Sequence, residues 1–514
     1  MAARCHAGHP APGRAGFATW NNCNKPVYRV APGCGGQALG AETGAGLAST
    51  GLALLHHELL LFAGFWLLLG LIDDLLIDCL WLLLVARGRA QSRRLPAGFA
   101  ARPLRGPLAV LVPAWQEAAV IGTTVRHALA VWPHPELRLY VGCYASDPAT
   151  RLAAEQAGDG DPRLRVVTVA PAGPTTKADC LNGLYRALVA DEAAGGQRVR
   201  AVVLHDAEDM VHPAELAVFD AALAEAEFVQ LPVRAEPLEG SLWVAGHYLD
   251  EFAEAHTKAL VVRTALGAAL PAAGVGCGFN RDLLDRLARI RAAAGPAPDR
   301  TGASAGPFAP DCLTEDYEIG WRIARTGGRG RFLRLRDHAG QLVATRACFP
   351  DRFDRAVRQK TRWTLGICYQ GWDRLGWSGG LVDRWMALRD RRAPMAAAVL
   401  LAAYAALGCT ALLALAVSPA AARAALMPDW AGPFVLACGA GLAWRLVWRG
   451  LFVAHEYGPA EGLRAVLRAP VSNLVAIAAA HRALRVYLQS LRGRRVRWDK
   501  TGHRHHPAAR GQPR

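Results

Sequence analysis

The sequence predicts an α/β domain held between apolar segments of membrane-spanning length, and three observations predict it. Between about residues 107 and 348, short aliphatic and β-branched runs alternate with helical patterns, which marks a layered sheet with ligands outside the strand C-termini. Apolar stretches from Leu59 to Ala86 and from Met395 to Val417 flank that region, each long enough to cross a bilayer at roughly 20 residues per helix. The run Ala201-Val-Val-Leu-His-Asp-Ala-Glu-Asp209 reads as a buried strand that ends in three carboxylates.

Composition agrees with a membrane protein. The 514-residue chain is 52% hydrophobic and carries a net charge of +16. No zinc-finger, helix-turn-helix or RNA-binding signature accompanies that charge, so basic flanks of membrane helices explain it better than nucleic acid. The 12 cysteines are scattered without a C-x-x-C pair, which argues against a zinc site or a disulfide framework. Cys5, Cys23 and Cys34 sit in a different setting and can pair only if their segment is outside. Lysine occurs at five positions only, and Lys177, Lys360 and Lys500 fall within motifs.

Taken in order, residues 1–55 read as a poorly ordered extension without a signal-peptide pattern. Residues 56–95 hold the first span and its basic flank. Asp73, Asp74 and Asp78 inside that span would each cost roughly 2.5 to 3.5 kcal/mol at a bilayer centre, so they should face protein or water. Asp74 and Asp78 share a helix face. The basic run Arg87 to Arg94 puts the next part of the chain in the cytoplasm. Residues 96–392 form the α/β domain, with strands at 108–112, 137–144, 164–169, 200–205 and 227–233 and helices at 118–130 and 178–190. Residues 393–490 return to the membrane, with clear spans from Met395 and from Ala431. Residues 471–490, with Asn473, His481, Arg482 and Arg485, read as an amphipathic helix on the inner leaflet, giving three spans. Residues 491–514 are a basic tail.

Five stretches carry chemistry. Asp206 and Glu208, two apart on an extended chain, project from the same side and can hold one hard divalent cation, Mg²⁺ or Mn²⁺. Asp209 is the other candidate partner for Asp206, and an acidic run of this kind also suits a helix N-terminus. In Thr314-Glu-Asp316, Thr314 suits an N-cap, with Glu315 and Asp316 in the first turn. Gln359, Arg362 and Trp363 lie on one helical face, where they can bind diphosphate oxygens and stack on a sugar ring. Val110-Leu-Val-Pro-Ala-Trp-Gln-Glu117 is a strand that breaks at Pro113 and enters a helix at Glu117. Lys177-Ala-Asp-Cys-Leu-Asn182 opens a helix with a cation. A sixth stretch, Gly274-Val-Gly-Cys-Gly-Phe-Asn-Arg281, lacks the preceding β-branched strand of a dinucleotide fingerprint.

In order and spacing these runs resemble the D-x-D, T-E-D and Q-x-x-R-W signatures of membrane-embedded family 2 glycosyltransferases, the group of the cellulose, chitin and hyaluronan synthases. The His-Asp-Ala-Glu-Asp run, the acidic first span and Trp498-Asp-Lys-Thr501 further resemble bacterial inner-membrane glycosyltransferases of the bacteriophage-adsorption type, over about residues 55–503. The resemblance implies a glycosyltransferase A type nucleotide-sugar-binding domain inserted between transmembrane helices. It implies an inverting, metal-dependent transfer from a nucleotide sugar, with a UDP-sugar the favoured donor, to a saccharide or lipid-linked acceptor. It places the protein in the bacterial inner membrane as a multi-pass protein, among membrane lipids and with export or outer-membrane partners, the catalytic domain being cytoplasmic.

By the same resemblance Asp316 is the base, with Glu315 beside it. Pro113, Glu117, Asp147, Lys177, Asp206, Gln359 and Arg362 bind donor, with Asn182 at the pocket border. Trp363, Gly276 and Gly278 face acceptor, the glycines in a loop leading into a helix. Asp206, Glu208 and Asp209 supply the metal ligands, and Trp498 to Thr501 is similar to segments that close over donor phosphates. One departure stands out: Gly142 and Cys143 occupy the place of the family's diacidic pair, although Asp147 and Thr150 match the end of that element. This departure favours the alternative class, a catalytically silent scaffold of a glycan-export or phage-receptor complex. Intact Asp316, Gln359, Arg362 and Trp363 favour the transferase.

Overall fold

The computed structural model describes residues 38–170, 175–195, 197–295, 306–494 and 506–510. Cys5, Cys23, Cys34, the Trp498 to Thr501 segment, His503 and His505 lie outside them. The chain divides into two compact units, Met1–Gly51 and Leu52–Arg514. Helix α1 runs Ala38–Ala86, so the boundary expected at residue 55 falls inside a helix.

A seven-stranded sheet organises the α/β part of the chain. Its strands are β1 (Leu108–Pro113), β2 (Leu137–Tyr144), β3 (Leu164–Val169), β4 (Ala201–Leu204), β5 (Phe228–Gln230), β6 (Cys277–Asn280) and β7 (Gly330–Phe332), in the spatial order β3-β2-β1-β4-β6-β5-β7. All neighbours run parallel except β6, which is antiparallel to both β4 and β5. The run expected at 227–233 is two strands, because Pro232 cannot donate to the ladder. Beyond it Val233–Ala235 leaves the sheet to pair with Thr345–Ala347.

Alternation along each strand builds two cores. Val110, Val112, Leu139 and Val203 face one side and meet Ile121, Val125 and Ala128 of α2 (Ile121–Val131) and Ala154 of α3 (Pro148–Gly158). Ala109, Leu111, Tyr140 and Val202 face the other and meet Leu181, Leu184 and Leu188 of α4 (Lys177–Gly195). Each fully buried leucine or valine there contributes about 1.5–3 kcal/mol. Because β1 pairs in parallel with both β2 and β4, their C-terminal ends lie along the same edge of the sheet.

Among the described residues four helices are long and apolar enough to cross a membrane: α1 from Ala48, then α8 (Ala393–Ala416), α9 (Ala431–Tyr457) and α10 (Pro459–Leu491), numbered after α5 (Gly246–Glu254), α6 (Glu315–Arg325) and α7 (Phe353–Thr364). The expectation of three spans is therefore corrected to four candidates. Of the polar residues that argued against the last one, Asn473 has a partner inside the protein, whereas His481, Arg482 and Arg485 are exposed. Fully buried Arg468 bonds Asp250 of α5 at 2.6 Å and Glu461 at 2.7 Å, and Asn473 donates to the Tyr404 hydroxyl at 3.0 Å.

The acidic stripe of α1 faces protein. Asp78 accepts from the Lys258 ammonium at 2.7 Å and from the Trp444 indole at 2.8 Å. Asp74 pairs with Arg392 at 2.8 Å, and Asp73 accepts from the Trp385 indole at 2.6 Å. Pairing offsets the cost that unpaired carboxylates would carry there.

Candidate active site

The first wall of the site is the end of β1. Ala114 donates to the Gly142 carbonyl at 2.8 Å, and the chain then turns through Gln116 at φ 55. Two residues at the start of α3 hold this left-handed turn. The Asp147 carboxylate accepts from the Gln116 amide, and the Thr150 hydroxyl accepts from the Glu117 amide at 2.8 Å. Pro113 and Glu117 thereby line a cavity of about 470 Å³, whereas Asp147 lies behind it as the clamp of the loop.

The second wall is the start of α4. Thr176 and Asp179 form a reciprocal cap, the Asp179 carboxylate accepting from the Thr176 amide at 2.9 Å and the Thr176 hydroxyl from the Asp179 amide at 3.2 Å. That aims Lys177 into the cavity. Its ammonium sits 2.5 Å from Asp206 Oδ1 and 3.3 Å from the Gly274 carbonyl. Burial works against the ammonium, but Asp206, Glu315 and Asp316 outweigh it and hold Lys177 above the ordinary lysine range. Asn182 does not border the cavity: its amide exchanges hydrogen bonds with the Phe308 backbone at 2.9 and 3.0 Å.

The acidic loop after β4 is braced at nearly every residue. Thr124 Oγ1 donates to the Ala207 carbonyl at 2.5 Å, and His127 contacts the Val211 carbonyl at 2.9 Å. His506 reaches the Asp209 carbonyl at 3.2 Å; because its Nδ1 accepts from the Ala508 amide, its Nε2 carries the proton. Asp209 itself is enclosed. Its carboxylate accepts from the Asp206 amide at 2.8 Å and meets His205 Nδ1 at 3.2 Å, while His205 Nε2 lies 3.1 Å from Glu215. Burial alone would lower His205, yet Glu215 and Asp209 raise it to about 9. Asp209 borders the cavity beside Asp206 and Glu208, but its carboxylate is taken up by the Asp206 amide and His205, so it serves as the internal staple of the loop.

The third wall brings the T-E-D and Q-x-x-R-W residues together. Glu315 and Asp316 open α6 and line the cavity, and Asp316 accepts from the Tyr317 amide at 2.7 Å. Thr314 occupies the N-cap position without a side-chain cap bond, its methyl and hydroxyl packed closely on Gly366. Burial, then the Asp316 charge, pushes Glu315 up to about 8; burial also raises Asp316, against the pull of Lys177. Gln359, Arg362 and Trp363 of α7 line the same cavity. Gln359 Oε1 is buried and has no hydrogen-bond partner among the described residues. Lys360 pairs with Glu251 and covers the Trp363 ring at 4.8 Å.

Gly276 and Gly278 do not line the cavity. Gly278 lies in β6, opposite Val203 and Val229, where a side chain would strike Phe219. Gly276, at φ +56, abuts Thr345. The glycine of that run which meets the site is Gly274, at φ +76, where a Cβ would lie 2.6 Å from Asp316 Oδ2 and 3.1 Å from Lys177 Nζ. Gln230 fixes this loop: its amide donates to the Val275 carbonyl at 2.9 Å and accepts from the Ala273 amide at 2.8 Å. Sequence reasoning overlooks both residues. The signals are a glycine beginning the run and a glutamine in a strand otherwise apolar.

The donor set suits a hard cation. The cavity gathers Asp206, Glu208, Glu315 and Asp316 around Lys177 and Arg362, so acidic side chains outnumber basic ones. Among the described residues no three acids or imidazoles form a complete metal cage. Two carboxylates plus phosphate oxygens would meet the need of Mg²⁺ or Mn²⁺ for oxygen ligands.

Comparison with known proteins agrees with this arrangement. Residues 105–366 match the family model described as glycosyltransferase like family 2. Bacteriophage adsorption protein B of Escherichia coli (strain K12) is 33% identical over 467 residues, covering 84% of this chain and 60% of that protein. Bacteriophage N4 adsorption protein B of Escherichia coli O157:H7 gives the same figures. The chain thus spans 60% of the length of these curated relatives. Among solved structures, the mannosyltransferase PcManGT from Pyrobaculum calidifontis, in complex with GDP-Man and Mn²⁺, is 19% identical with a TM-score of 0.47, covering 82% of this chain and 99% of that one. With its α/β sheet flanked by helices of membrane-spanning length, the chain belongs to glycosyltransferase family 2.

Proposed function

We propose that the protein is an inverting, metal-dependent glycosyltransferase that moves a sugar from a nucleoside diphosphate donor to a saccharide or lipid-linked acceptor at the cytoplasmic face of a bacterial inner membrane. The observation that carries this reading is convergence. Asp206, Lys177, Asp316 and Arg362 line one cavity although they come from distant parts of the chain.

Each residue has a task. Pro113 and Glu117, held by Asp147, border the nucleotide. Lys177, Arg362 and the Gln359 amide N–H bind the diphosphate, and the buried Gln359 oxygen, which has no partner among the described residues, is left to accept from a sugar hydroxyl. Asp206 and Glu208 would hold Mg²⁺ or Mn²⁺, which supplies charge stabilisation to the departing diphosphate. Asp316 takes the proton from the acceptor hydroxyl as its oxygen bonds to the anomeric carbon and the carbon–phosphate-oxygen bond breaks, inverting that centre. Burial favours the basic form of Asp316 less than water does, so the carboxylate is a stronger base than an exposed one. Trp363, with one face under Lys360, offers the remaining ring surface to the acceptor sugar. The basic run Arg87 to Arg94, just past α1, supports the cytoplasmic orientation.

The test is nucleoside diphosphate release by the purified full chain with Mn²⁺, a membrane extract as acceptor source and a panel of nucleotide sugars that begins with UDP-sugars. Release by the wild type and its loss in Asp316→Asn is the expected outcome. Release that is unchanged in Asp316→Asn, or absent with every donor, contradicts the proposal.

A further inference from the structure

We infer that Lys177 couples metal binding to nucleotide binding, because its ammonium holds the same Asp206 carboxylate that the metal would use. The inference rests on the nucleotide-sugar reading above and deepens it. Lys177 Nζ lies 2.5 Å from Asp206 Oδ1. It also lies 3.3 Å from the Gly274 carbonyl, and one point in space, where a Gly274 Cβ would sit, is 3.1 Å from the ammonium and 2.6 Å from Asp316 Oδ2. The ammonium therefore stands between the donor-side acid and the base.

A divalent cation binds carboxylate oxygens at about 2.0–2.2 Å for Mg²⁺. The ammonium on Asp206 Oδ1 competes with such a cation for that carboxylate, since two like charges that close repel strongly in a partly buried site. Metal entering alone therefore weakens the Lys177–Asp206 pair and leaves the ammonium with less negative charge to offset it. A diphosphate entering with the metal removes that cost, since its oxygens give Lys177 a new anionic partner. The reciprocal cap of Thr176 and Asp179 fixes the first turn of α4, so the side chain alone makes this exchange. Gly274 keeps the route open: any side chain there would fill the space between Lys177 and Asp316. Metal and diphosphate consequently favour each other through one lysine, and by linkage the effect is the same read from either ligand.

The experiment measures Mn²⁺ affinity of the full-length protein in detergent, by the loss of the free-Mn²⁺ electron paramagnetic resonance signal, with and without UDP and, in a second arm, GDP. In the wild type, the nucleoside diphosphate that binds should tighten Mn²⁺ binding by roughly 5- to 150-fold, the usual span of coupling between linked sites. In Lys177→Met, Mn²⁺ alone should bind more tightly than in the wild type, and the gain from nucleotide should shrink towards one. Lys177→Arg, which keeps the charge, should retain most of the coupling, and thermal melting identifies any variant that is unfolded. Equal Mn²⁺ affinity of wild type and Lys177→Met without nucleotide, or undiminished coupling in Lys177→Met, overturns the role of Lys177 and leaves the transferase reading intact. Failure of the wild type to bind Mn²⁺ with either nucleotide overturns both.

Discussion

His506 Nε2 donates to the Asp209 carbonyl oxygen at 3.2 Å across 297 positions of sequence, so a residue near the end of the chain braces the acidic loop at the centre of the site. Burial holds the imidazole down to about 4, which keeps it neutral and its donor in place at physiological pH. Replacing His506 with Ala removes one hydrogen bond worth about 1 kcal/mol. Amide exchange over residues 206–210 should accelerate about fivefold, and turnover should fall while the melting temperature changes little. Unchanged exchange over the loop would show that the contact does not brace it.

His205 gives the fold a pH dependence of known sign. Its folded value, about 9, lies above its ordinary 6.5 because Glu215 and Asp209 outweigh burial. The stabilisation is complete below about pH 6.5 and is lost as pH rises through about 9. It amounts to about 3 kcal/mol at its full extent. Thermal unfolding measured from pH 6 to pH 10 should show the wild type losing stability over that window, and His205→Gln showing a flatter profile.

Asp316→Asn should lower turnover by about 10²- to 10⁴-fold, the usual contribution of a general base. Nucleotide binding should persist, because Asp206, Lys177 and Arg362 remain. Equilibrium binding of the nucleoside diphosphate, measured beside turnover, separates the two effects.

Gly274→Ala tests the close approach of Lys177 and Asp316. Its Cβ would lie 2.6 Å from Asp316 Oδ2, at a φ of +76 that costs an L-residue about 1–2 kcal/mol. Stability should fall by about that amount, and turnover should drop by tenfold or more, roughly what a displaced catalytic group costs. An active Gly274→Ala enzyme would place the base elsewhere.

The Asp78–Lys258 pair joins the first span to the α/β domain, with side-chain exposures of 4% and 8%. Asp78→Ala leaves a buried ammonium with one fewer acid and should destabilise the protein by about 3 kcal/mol. The double variant Asp78→Ala with Lys258→Met should recover much of that loss in denaturant unfolding. Equal loss in the single and double variants would assign the effect to packing alone.

The sequence is legible where its signals are local. Leu137–Tyr144 and Leu164–Val169 stand out by aliphatic and β-branched content, and the structure forms strands with those bounds. The three acidic and basic motifs also stand out, because their residues are close in sequence. Cys277–Asn280 reads as part of a glycine loop, since its place in the sheet depends on antiparallel pairing with Ala201–Leu204 and Phe228–Gln230, which no local pattern records. The last membrane-length helix is hidden by Asn473, His481, Arg482 and Arg485; the partner of Asn473, Tyr404, is distant in the chain. Gly274 and Gln230 escape notice for the same reason: their roles are contacts with Asp316, Lys177 and the 273–276 backbone.

The most direct measurement is a cryo-electron microscopy structure of the full chain with Mn²⁺ and the nucleoside diphosphate whose release it catalyses. The diphosphate should lie between Asp206 and Arg362, with Mn²⁺ on Asp206 and Glu208 and the Lys177 ammonium turned from Asp206 to a phosphate oxygen. Nucleotide density elsewhere on the protein, or an Asp316 carboxylate pointing away from the diphosphate, would contradict the account.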